Sequence, residues 1–214
     1  MTAVIEAHKL VYFSIPKVAS TSLKELFFHV MTGKPFEHDG RGVHYEAFKT
    51  EAFYRHDHAS YAEYTRIAVV RDPIKRILSC YTNRVLQTGR LSPDQIDMVA
   101  AERLGVTADP GIRKFILNLD KYRALSNSIR NHSQPTAYFL GPDLGYFHRV
   151  FPIEALGDMV AFLEERTGMA LTLSREMTSE KKIEFDDLTP TCQDRLREYC
   201  AADYAYLKDY YRPR

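Results

Sequence analysis

Twice before residue 90 the chain passes from a short β-branched and aromatic run, across a few polar residues, into an amphipathic helix pattern. The first run, Lys9-Leu10-Val11-Tyr12-Phe13-Ser14-Ile15, stops at Pro16. Behind a hydroxyl cap at Ser20, Leu23, Leu26, Phe27 and Val30 then recur at helical spacing, and Gly33 ends the pattern near Met31. The second run, Arg66-Ile67-Ala68-Val69-Val70, leads to Asp72 as a cap. Pro73 takes the first helical position, where a missing N–H costs nothing. Ile77, Leu78, Tyr81 and Val85 make that helix's apolar face, and Arg149-Val150-Phe151, closed by Pro152, is a third strand. Helical patterns also fill residues 92–104, 111–125, 154–167 and 189–210, while residues 40–64 read as loop with short helical pieces. Alternating strand and helix predicts an α/β fold of three layers, with a central parallel sheet flanked by helices. With no repeat or low-complexity stretch, residues 1–214 read as a single domain.

Composition narrows the function classes. The 29 Lys and Arg against 28 Asp and Glu leave a net charge of +1, with no Lys/Arg cluster interleaved with aromatics. A nucleic-acid partner is therefore not expected, although one local basic pocket is compatible with that balance. Cys80, Cys192 and Cys200 have no metal-ligand spacing and read as thiols in a reducing compartment. No apolar run reaches about 18 residues, so no transmembrane segment is expected. Met1 to Lys9 lacks a signal-peptide pattern, and the reading is a soluble, cytoplasmic chain.

Open parallel sheets bind ligands beyond the carboxyl ends of their strands, where both polar segments fall. In Pro16-Lys17-Val18-Ala19-Ser20-Thr21-Ser22 a tight loop runs into a helix N-terminus whose N–H groups favour an anion. Lys17 adds a full charge, and Ser20, Thr21 and Ser22 add hydroxyls. The segment lacks the Gly-Lys pair of a Walker loop and by itself also reads as a capped helix with a surface lysine. In the second segment Arg71 sits at the strand end, and Arg76, Ser79 and Asn83 share one helical face. An arginine fork and a hydroxyl can hold a second phosphate, or Arg71 can bond a carboxylate while Ser79 simply packs.

Taken together, Pro-Lys-x-x-Ser-Thr-Ser and Arg-Asp-Pro-x-x-Arg-x-x-Ser-x-Tyr-x-Asn resemble the sulfotransferases that use 3′-phosphoadenosine 5′-phosphosulfate (PAPS), with 3′,5′-ADP as product. The likeness is closest to the carbohydrate and uronyl 2-O-sulfotransferase type. It implies a P-loop-like fold, Lys17, Ser20, Thr21 and Ser22 at the 5′-phosphosulfate, and Arg71 and Ser79 at the 3′-phosphate. Asn131-His132-Ser133-Gln134-Pro135, Arg149 to Leu156 with Phe162-Leu163, and Asp203-Tyr204 resemble later segments of the same family.

The resemblance implies in-line transfer of a sulfuryl group to a hydroxyl-bearing acceptor, a saccharide or glycoconjugate. Lys17 would face the bridging oxygen as the leaving group gains charge. A sulfo group carries one charge where a γ-phosphoryl carries about two, so no metal is expected. The general base is read as His44, the histidine most comparable to the uronyl enzymes' base, with His58, His132 and Glu46 as alternatives. A zinc site at His56-Asp57-His58 fits known ligand spacings poorly. The competing readings are a nucleotide-dependent small-molecule kinase and a non-catalytic module binding adenosine bisphosphate or glycan.

Overall fold

The computed structural model describes residues 2–37, 50–174 and 183–214. They form two compact units interleaved along the chain, one of residues 1–71 and 136–178 and the other of residues 72–135 and 179–214. The chain leaves the first unit after Arg71, at the end of a strand, and rejoins it at Thr136.

The first unit is built on a four-stranded sheet in the order β1 (Thr2–Ile5), β2 (Leu10–Phe13), β3 (Thr65–Val70), β4 (Arg149–Pro152). β2, β3 and β4 run parallel, with Phe13 opposite Ala68 and Val70 opposite Pro152. These three are the expected central parallel sheet, and at its edge a further strand, β1, runs antiparallel to β2. The reason is local. One 3-10 turn, Glu6–His8, and the left-handed Lys9 (φ 47°) join the two strands, too short a link for a parallel crossover.

α1 (Ser20–Thr32) ends at Gly33 with φ 72°, the left-handed cap that the sequence predicts. Alternation in β2 sends Tyr12 and Phe13 to opposite faces. Tyr12 stacks on Phe27 of α1 with ring centroids 4.5 Å apart. Phe13 instead meets Phe53, His56, His58, Tyr61, Tyr146 and Phe147. The 3-10 turns Phe53–Arg55 and His58–Tyr61 are the short helical pieces expected of that loop, and a third, Leu144–Tyr146, completes the cluster.

The second unit is helical among its described residues: α2 (Pro73–Cys80), a π-helical turn at Tyr81–Gln87, α3 (Met98–Arg103), α4 (Ile112–Leu117), α5 (Leu119–Leu125) and α6 (Asn127–His132). α7 (Thr136–Leu140) and α8 (Leu156–Thr167) belong to the first unit, and α9 (Pro190–Tyr206) returns to the second. Its core gathers Ile74, Ile77, Leu78 and Tyr81 with Phe115, Tyr122, Leu196 and Tyr204. Cys80, Cys192 and Cys200 are buried free thiols, and burial pushes Cys200 well above the ordinary thiol range.

Two of the expected helices are cut well short or divided. Asp97, not Ser92, caps α3 by accepting from the Val99 and Ala100 amides at 2.9 and 3.1 Å. At Asn118 (φ −121°) the expected 111–125 helix divides into α4 and α5, and its side-chain amide donates to the Lys114 carbonyl at 3.1 Å.

Candidate active site

The loop leaving β2 has an uncommon backbone. Lys17 and Ala19 have φ of 71° and 60°, two of the four non-glycine residues with positive φ among those described, while Val18 between them does not. Such alternation turns successive N–H groups toward one side, an anion-binding nest. Holding side-chain-bearing residues there costs about 1–2 kcal/mol each, strain that is found where a site needs the geometry. Ala19 is also the residue before α1, whose first intrahelical bond is Leu23 N to Ala19 O at 3.0 Å. No side chain among the described residues caps it, so the N–H groups of the first turn reinforce the nest.

Lys17, Ser20 and Thr21 line this corner half-buried, and Ser22 is buried. Ser20 Oγ donates to the Ile15 carbonyl at 3.3 Å, closing the loop on itself. Arg71 holds the loop from the neighbouring strand, its Nη1 donating to the Lys17 carbonyl at 2.8 Å. Parallel pairing of β2 with β3 brings the two strand ends side by side and makes that bond possible. Lys17, Ser20, Thr21, Ser22 and Arg71 therefore come together within one unit, while Ser79, half-buried on α2, belongs to the other.

The remainder of the second motif separates into structure and candidates. Asp72 caps α2 by accepting from the Lys75 amide at 2.9 Å, and its other oxygen accepts from Tyr204 at 3.1 Å. Arg76, on the helical face it shares with Ser79, is engaged within its own unit. It is 1% exposed, pairs with Asp203 at 3.2 Å and donates to the Gln134 carbonyl. Two of the motif's residues thus fasten α9 and the 134 segment to α2. Beyond Ser79 the α-winding gives way to the π-helical turn, where Thr82 Oγ1 bonds the Leu78 and Ser79 carbonyls at 3.2 and 3.3 Å.

His44, the expected base, lies outside the described residues, as do His38, Tyr45 and Glu46. His58 is half-buried in the aromatic cluster around Phe13. Its Nε2 is 2.8 Å from the Phe53 carbonyl oxygen, and its Nδ1 is 3.1 Å from the Tyr146 hydroxyl. A carbonyl only accepts, so Nε2 carries the proton and Nδ1 accepts from Tyr146. Both nitrogens are committed, which suits neither a base nor a metal ligand. His56 touches the Thr2 hydroxyl and the Phe13 ring edge, and burial lowers its pKa below the ordinary imidazole value. His132 is held between Ser128 and Arg84.

Three features had no readable signal: positive φ at Lys17 and Ala19, the π-helical turn, and the engagement of Arg84 by His132. A positive φ is usually announced by glycine, and here it is not. Among the described residues no helix is long and apolar enough to cross a membrane. A family model described as "Sulfotransferase family" matches residues 1–211, spanning both units. Comparison with curated proteins and with solved structures found no match.

Proposed function

The chain belongs to the sulfotransferase family, and on that premise we propose that it moves a sulfuryl group from PAPS to a hydroxyl of a carbohydrate acceptor. The observation that carries the donor assignment is the nest at Lys17–Ala19, opening on the α1 N-terminus and tied to the β3 end through Arg71. Its donor set of backbone amides, three hydroxyls and a lysine fits a phosphosulfate. When bound, PAPS supplies the sulfuryl group and departs as 3′,5′-ADP.

In this reading the nest and the Ser20, Thr21 and Ser22 hydroxyls fix the 5′ end. Preorganised donors aimed at developing charge supply most of such a barrier reduction. Lys17 faces the bridging oxygen and neutralises the charge that grows there. Arg71 has two tasks, holding the loop and, with Ser79, taking the 3′-phosphate. With one charge on the sulfuryl group, Lys17 and the amides suffice without a metal. The acceptor's proton goes to His44, for which a histidine's pKa near working pH is suited. A cytoplasmic setting, in which the three thiols stay reduced, and one sulfotransferase domain over the whole chain go with this reading.

The test is thermal unfolding with 3′,5′-ADP, 5′-AMP and Mg-ATP, on wild type and Arg71→Ala. At a hundred times its Kd a ligand adds about 2.7 kcal/mol, about 5–10 °C in Tm for a chain of this size. The expected shift occurs with 3′,5′-ADP and disappears in Arg71→Ala. A shift with Mg-ATP alone would replace the sulfotransferase donor by a kinase's. For the base, His44→Ala is expected to lower transfer by about 10²–10⁴ while leaving the 3′,5′-ADP affinity close to wild type. Undiminished turnover would remove His44 from that role.

A further inference from the structure

Two arginines on one helical run are treated in opposite ways. Arg76, on α2, is buried against the Asp203 carboxylate. Arg84, in the π-helical turn, is half-buried, and among the described residues no carboxylate pairs with it. Its Nε donates to His132 Nε2 at 3.1 Å, while His132 Nδ1 lies 2.7 Å from the Ser128 carbonyl oxygen. Since a carbonyl only accepts, Nδ1 carries the proton and Nε2 offers a lone pair, so the imidazole holding Arg84 is neutral. Burial is the main influence lowering the Arg84 pKa; the Cys80 thiol opposes it and the like-charged Arg90 adds to it. A guanidinium stays charged, so among the described residues a cation is kept partly out of water with no carboxylate partner.

The backbone also directs it. In a regular α-helix a residue five beyond Ser79 would sit about 140° round the axis. The i→i+5 winding that begins at Tyr81, with Thr88 N bonded to Asn83 O at 3.0 Å, turns Arg84 back toward the Ser79 side. Long helical side chains lean toward the N-terminus, here toward Ser79. With Nε spent on His132, the two terminal nitrogens form the fork that suits an oxyanion.

We propose that Arg84 is a further ligand of the 3′-phosphate, acting with Ser79, and that His132 is the positioning residue that seats its fork. This rests on the donor reading above. A phosphate monoester carries about −1.5 to −2 charges at pH 7. Ser79 is neutral, so within its unit Arg84 supplies the positive charge that such a group calls for.

The experiment is calorimetric titration of 3′,5′-ADP and 5′-AMP into wild type, Arg71→Ala, Arg84→Gln and Arg84→Lys. The ratio of the 5′-AMP dissociation constant to that of 3′,5′-ADP isolates the 3′-phosphate from every contact the nucleotides share. Arg84→Gln is expected to lower that ratio about tenfold or more while leaving 5′-AMP binding unchanged. Arg84→Lys keeps the charge but not the fork and should fall between. If Arg84→Gln is poorly folded, Arg84→Lys decides alone. His132→Leu should lower the ratio in the same direction, and His132→Gln, whose carbonyl can accept from Nε, should restore part of it. A wild-type ratio that collapses in Arg71→Ala but persists in both Arg84 variants overturns the inference and leaves the donor reading standing. No 3′-preference in wild type overturns both.

Discussion

Lys17→Ala is expected to lower sulfuryl transfer by about 10³–10⁵, the range seen when a cation facing a phosphoryl transition state is removed. The expectation follows from where charge appears. Breaking the bond to the leaving group builds negative charge on the bridging oxygen, and an ammonium there acts in the transition state far more than in the ground state. Binding of 3′,5′-ADP should change much less, because the loop amides, hydroxyls and Arg71 remain. The readout is release of 3′,5′-ADP from PAPS with a panel of saccharide acceptors, beside a titration with the product. The backbone supplies a control. Lys17 has φ 71°, so Lys17→Gly relieves strain that Lys17→Ala keeps. The glycine variant should be about 1 kcal/mol more stable than the alanine one, yet equally inactive. Near wild-type turnover in either variant would remove Lys17 from the leaving-group role.

That control also marks the division between what the residues disclose and what they conceal. The cap at Asp72, Pro73 at the first helical position and the stop at Gly33 were legible because each is a local device whose chemistry is written in one residue. β2 and the last four residues of β3 were legible as apolar runs because they are buried, and β4 by its Val150-Phe151 pair closed by Pro152. β1 was not, since four residues of alternating burial at a chain end carry little periodicity. The breaks around residues 92–140 depend on side chains such as Asn118 competing with the ladder, which a hydrophobic period does not register. At the candidate site, the residue types of the loop between β2 and α1 were readable, but the nest was not. Its left-handed positions are occupied by Lys17 and Ala19, and only tertiary support, including the Arg71 bond, holds them there. Arg76 shows the same limit. Helical spacing places it beside Ser79, whereas its carboxylate partner, Asp203, lies 127 residues away along the chain.

That distant pairing yields the largest expected loss of stability, in Asp203→Ala. Arg76 is 1% exposed, and its Nε and Nη1 have no hydrogen-bond partner among the described residues. Its attachments there are the Gln134 carbonyl and Asp203. Removing the carboxylate leaves a buried guanidinium uncompensated, a change worth about 3–5 kcal/mol. Against a total of about 5–15 kcal/mol this brings the chain close to unfolding at room temperature. Arg76→Met/Asp203→Leu should recover most of the loss, because an apolar pair of similar volume needs neither charge solvated. Tyr204→Phe, which removes only the hydroxyl bond to Asp72, should cost about 1 kcal/mol. Urea unfolding followed by far-UV circular dichroism reads all three, with the slope checked for constancy across the set. A loss under about 1 kcal/mol in Asp203→Ala, or a double variant no better than the single one, would mean that the pair does not hold α9 to α2. In that case Asp72, which both caps α2 and accepts from Tyr204, would be left as the principal link between those helices.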